Sequence, residues 1–116
     1  MSETIRTGKH MSEVAEAILR LFIATAIERG LILRAVHDGE ASERVSSVDE
    51  AITVIDSVED STIVFRKPAT NEQGFFRCNV FVIPSNDGHC LVDWHDVPEF
   101  EAAITAVQHL IDAWEA

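Results

Sequence analysis

The chain has 116 residues, enough for one domain with a single core. Apolar residues make up 47% and charged residues 25%, the balance of a folded rather than a disordered protein. A net charge of −11 with only nine Lys and Arg weighs against direct contact with nucleic acid or an anionic membrane, and favours a basic protein partner.

Residues 1–11 are polar and are expected to be a disordered N-terminus, leaving 12–116 as a single domain. The opening MSETIRTGKHMSE has no apolar h-region, so no secretory signal is expected. The apolar run behind it is broken by Glu16, Arg20 and Glu28, so no membrane span is expected either. Ser12 is a natural N-cap and Gly30 a natural stop, which predicts a helix over 13–29. Val14, Ile18, Leu21, Phe22 and Thr25 follow helical spacing, but Leu19, Ile23, Ala26 and Ile27 lie outside that stripe. A helix apolar nearly all round is buried on more than one side. In so small a domain the expected cover is a second copy, a homodimer with Leu19, Ile23 and Ile27 at its interface.

Asp38-Gly39 predicts a two-residue type I′ turn between strands at 31–37 and 41–46. Ser47 to Glu50 has capping-box spacing and opens a short helix, 48–57, with Ala51, Ile52 and Ile55 inward. Strands follow at 61–67, 75–83 and 89–95, separated by a loop at Pro68 to Gly74 and a turn at Pro84 to Gly88. Phe76, Cys78, Val80 and Val82 should face the core with Ile63, Phe65 and Trp94. A closing helix starts at Asp96 or Val97 and runs to about 115. Its inward face is Phe100, Ile104, Val107, Leu110, Ile111 and Trp114. The order α-ββ-α-βββ-α is an α+β fold, an antiparallel sheet of about five strands with helices packed on it.

The window GHCLVDWHD, 88–96, is the richest in chemistry. Alternation along a strand puts Cys90, Val92 and Trp94 on the core side, and His89, Leu91, Asp93 and His95 on the other. His89 and Asp93 are then about 13 Å apart, too far for one ion, while Asp93 and His95 are about 6.6 Å apart. Those two could share a metal if His37 supplied a third ligand. The simpler reading is a solvated sheet face, with Arg77 opposite or diagonal to Asp93 and His95. Two cysteines without paired spacing predict no zinc site and no disulfide, which fits a reducing, cytoplasmic setting. No cofactor is expected, since phosphate-loop, zinc-protease and serine-hydrolase signatures are absent.

The segments VHDGE (36–40) with RVS (44–46), EDSTIVFR (59–66), GFF (74–76), NDG (86–88) and VDWHD (92–96) carry a resemblance. Over about 31–96 the chain resembles a family of small uncharacterised acidic proteins from bacterial and phage accessory genes. The resemblance implies the fold and a mobile-element context, and transfers no activity or site residue. His37 stands where that family often has an aromatic, and Ala41 where an aromatic often follows the Glu.

Three functions are then open. The first is a non-enzymatic protein-interaction module, in its sharper form an inhibitor whose acidic surface mimics nucleic acid. The second is a metal-dependent enzyme using Asp93, His95 and His37. The third is a small-ligand binder with a pocket between the sheet and the first helix.

Overall fold

The computed structural model describes residues 10–68 and 75–115. Its elements are α1 (Glu13–Glu28), β1 (Ile32–His37), β2 (Ser42–Arg44), α2 (Val48–Asp56), β3 (Ser61–Pro68), β4 (Phe75–Val82), β5 (Leu91–Trp94) and α3 (Pro98–Glu115). A 3₁₀ segment, Pro84–His89, joins β4 to β5. The five strands form one antiparallel sheet in the order β2-β1-β3-β4-β5, with the helices packed on it. This is the expected α+β fold.

Local signals placed the helices well. The Ser12 hydroxyl accepts from the Ala15 N–H at 3.1 Å and starts α1. At its end the Leu31 N–H donates to Ala26 O (3.1 Å) and the Gly30 N–H to Ile27 O (3.0 Å). That is a Schellman closure, and it requires the left-handed φ of 112° that Gly30 adopts. In α2 the Ser47 hydroxyl accepts from the Glu50 N–H, while the Glu50 carboxylate turns back to the N–H and hydroxyl of Ser46. Those two bonds hold the Glu50 carboxyl below its usual range.

Several expectations need correction. The tight turn after β1 has four residues, not two: Gly39 is left-handed (φ 98°) but Asp38 is not. The Asp38 carboxylate instead accepts from the N–H groups of Ala41 and Glu40 at 2.8 and 2.9 Å, which lowers its pKa. The disorder expected at 1–9 and most of the loop at 68–74 lie outside the described residues. His10 and Met11, however, are ordered. Both their N–H groups donate to the Asp56 carboxylate at 2.9 Å, and Met11 is buried in the core.

The proposed homodimer surface is corrected most. Leu19 and Ile23 are fully buried within the single chain, and only Ile27 reaches solvent. The second cover for α1 is α3 of the same chain, which packs along it. Phe100 of α3 stands between Phe22 of α1 (ring centroids 5.3 Å) and Phe65 of β3 (5.5 Å, edge-on). The face of α3 is buried only at its N-terminal end. Phe100, Ala103 and Val107 are in the core, Leu110 and Ile111 are half-buried, and Trp114 is 46% exposed.

Asp87 is the one described non-glycine residue with positive φ (φ 54°, ψ −115°). A side chain there costs about 1–3 kcal/mol of backbone strain. Asp87→Gly should therefore stabilise the protein by about 1 kcal/mol, after the entropy that glycine loses on folding. A melting temperature that falls in this variant would show that the side chain contributes more than it strains.

Both cysteines are free and buried, Cys78 opposite Phe65 and Cys90 against Ala15 O at 4.0 Å. Burial pushes both thiols up, that of Cys90 to about 12. Native protein should react slowly with thiol reagents, and unfolded protein should yield both thiols. Rapid titration of either under native conditions would contradict the packing.

Candidate functional site

The two faces of the sheet differ sharply. Leu33, Val36, Ile63, Phe65, Cys78, Val80 and Val82 point to the helices and are buried. On the other face nothing is buried, and Thr62, Val64, Arg66, Arg77, Asn79 and Phe81 alternate with the core set. A bulge between Leu33 and Ala35 alters the alternation in β1. It lets Leu33 and Val36 both face inward, three positions apart, and leaves Arg34 and Ala35 together on the outside.

The open face is concave. It forms a depression of about 920 Å³ with four arginines in its lining: Arg34, Arg44, Arg66 and Arg77. These come from β1, β2, β3 and β4, and together they are four of the nine basic residues in the chain. Adjacent strands lie about 4.8 Å apart, so the row from β2 to β4 spans about 14 Å. Among the described residues no carboxylate lines the depression; Ser42, Thr62, Asn79 and His37 are polar residues in its lining.

This clustering runs against ordinary sheet design. Arg66 and Arg77 are direct cross-strand partners, and like charges placed opposite each other are destabilising. Two basic residues elsewhere are neutralised: Arg20 bridges Glu16 (2.7 Å) and Asp49 (2.6 Å), and Lys67 lies 3.2 Å from Glu99. Among the described residues no carboxylate is within ion-pair distance of Arg34, Arg44 or Arg77. Six of the carboxylates sit in the first turns of the helices, at Glu13, Glu16, Asp49, Glu50, Glu99 and Glu101. Helix N-termini favour carboxylates there.

The residues singled out from the sequence do not form a site of their own. His37 on β1 is three strands from Asp93 on β5, a separation of about 14 Å. Asp93 is opposite Phe81, not Arg77, whose partner is Arg66. His95 is tied to β4, its Nδ1 accepting from the Asn79 N–H at 3.1 Å and its own N–H donating to Asn79 O. No group of three potential metal ligands occurs among the described residues. His37 does have a place, beside Ser42 at the margin of the arginine depression.

The edge strand departs from simple alternation as well. A bulge between Phe81 and Val82 pairs Asp93 with Phe81 but Leu91 with Val82. Leu91 thus packs on the core, while Val92 (44%) and Trp94 (37%), both expected inside, are exposed. Phe76 is 57% exposed, although its pairing opposite Lys67 keeps it on the helix side of the sheet.

The arginine row was missed in the sequence because the overall charge masked it. The one available signal was alternation itself: Arg66 and Arg77 fall on the outward positions of their strands. Pairing them required the register. No protein-family model, curated protein or solved structure matches the chain. Among the described residues no helix is long and apolar enough to cross a membrane.

Proposed function

We propose that this protein is a non-enzymatic binding module that holds an anionic ligand on its open sheet face. The observation that carries the reading is the row of four arginines in one depression, with no carboxylate among its described lining residues. Guanidinium groups present planar donor forks that match phosphate and carboxylate oxygens two at a time. Arg34, Arg44 and Arg77 have no carboxylate partner among the described residues, and an anion placed among them would relieve their mutual repulsion. The reading thus keeps the interaction module expected from the sequence but reverses the charge of its partner.

Among the described residues, the polar groups lining the depression other than arginine are hydroxyls, one amide and the imidazole of His37. Calorimetric titration with inorganic triphosphate tests the reading. Binding should be one to one and should weaken as salt is raised, because the contact is charge-driven. No detectable binding at low salt would overturn it.

A further inference from the structure

We infer that the open face receives a terminal phosphate group, held over Ala35 at the β1–β2 end of the depression by Arg34 and Arg44. This rests on the anion-binding reading above and gives it a place and a ligand class.

The place follows from the register. Ala35 of β1 pairs with Arg44 of β2, and His37 pairs with Ser42 of β2 and Thr62 of β3. Ala35 and His37 are two positions apart, about 6.6 Å along the strand. The bulge between Leu33 and Ala35 brings Arg34 out beside Ala35 on the same face. All six of these residues line the depression. The methyl group of Ala35 is a low floor, and two guanidiniums, two hydroxyls and an imidazole stand around it. His37 Nδ1 and Ser42 Oγ are 3.4 Å apart, so these two groups share one wall.

The nearest carboxylates are turned elsewhere. That of Asp38 accepts from the N–H groups of Glu40 and Ala41 within its own turn. Glu43 lies between Ser42 and Arg44, but it pairs with the buried Val36, which puts it on the helix side of the sheet. Neither Arg34 nor Arg44 has an ion-pair partner among the described residues.

The ligand class follows from the donors. They stand on several sides of Ala35, whereas a carboxylate offers two oxygens in one plane, enough for a single guanidinium fork. A terminal phosphate offers three free oxygens and close to two negative charges, one for each arginine. A phosphodiester within a nucleic-acid strand has one charge and fits less well. The net charge of −11 acts in the same direction, since it repels an extended polyanion more than a short one. A ligand with further phosphates extends from Ala35 toward Arg77 of β4.

The test uses the full chain at about pH 7.5, where a phosphomonoester is largely doubly charged. The probes are methyl phosphate, dimethyl phosphate and inorganic triphosphate, followed by the backbone amide NMR signals. Methyl phosphate should move the signals of Ala35, Ser42 and Arg44 most, and should bind at least fivefold tighter than dimethyl phosphate. Arg44→Gln and Ala35→Leu should each weaken triphosphate binding at least tenfold, about the loss expected for one charge-assisted contact. The first removes a guanidinium from an exposed edge strand, and the second fills the floor without removing a charge. Amide spectra that match the wild type outside β1 and β2 show that both variants are folded. Unchanged triphosphate binding in either variant, or the largest shifts at Arg77 and Asn79, would overturn the inference and leave the anion-binding reading standing. Dimethyl phosphate binding as tightly as methyl phosphate would overturn it in favour of a phosphodiester. If triphosphate does not bind the wild type, both readings fall.

Discussion

Phe100→Ala should destabilise the protein by about 3–5 kcal/mol, the usual cost of emptying a fully buried aromatic site. Phe100 is 0% exposed, and its ring packs against both Phe22 of α1 and Phe65 of β3. Two aromatic pairs are lost with it, each worth about 0.5–1.5 kcal/mol beyond area burial. Against a typical total stability of about 5–15 kcal/mol, this leaves the fold marginal. The melting temperature should fall by at least 10 °C, given about 4 °C per kcal/mol for a domain of this size. Leu110→Ala, near the exposed end of the same helix, should cost clearly less because that residue is only half-buried. Chemical unfolding that shows equal losses for the two variants would mean that α3 is not anchored through its first turns.

Arg77→Glu should abolish anion binding and leave stability unchanged or higher. The substitution replaces a like-charged cross-strand pair with Arg66 by an opposite-charged one, a change worth about 0.2–1 kcal/mol in favour of the sheet. It also removes one guanidinium from the depression and adds a carboxylate to it. A hydrogen bond to a charged group contributes about 1.5–3 kcal/mol, so the affinity for inorganic triphosphate should fall at least tenfold from the lost contact alone. Repulsion by the new carboxylate deepens the loss. The two readouts move in opposite directions, which separates a functional arginine from a structural one. Unchanged triphosphate binding, or a stability loss above about 1 kcal/mol, would show that Arg77 serves the fold instead.

The contrast with Lys67 sharpens the point. Lys67 adjoins Arg66 but faces the helices, where Glu99 lies 3.2 Å away and both side chains are largely buried. Its charge is absorbed by the fold. The charges of Arg34, Arg44 and Arg77 are left to solvent at a surface that no helix covers, and the sheet tolerates the repulsion. A local rule broken without a structural return is where a function is to be sought.

The element order, the caps and the inward faces of α2, β3 and most of β4 were legible in the sequence. Each depends on interactions within a few residues. Ser12 caps because its hydroxyl reaches the N–H three positions on, and Gly30 ends a helix because it alone takes the left-handed φ cheaply. Alternation sorted Ile63, Phe65, Cys78, Val80 and Val82 from their neighbours because successive strand residues point to opposite faces. What covers α1, where the bulges fall and which strands lie side by side were decided by the packing of the whole chain. Leu19 and Ile23 looked like an interface because nothing local to them indicates that α3 returns across the same helix. The bulges in β1 and between β4 and β5 shift the register by one residue, and no short-range pattern forecasts a shift that serves distant packing. The arginine row depends on both. Net charge sums over the chain and erases position, whereas pairing four strands brings residues from Arg34 to Arg77 within about 14 Å of one another.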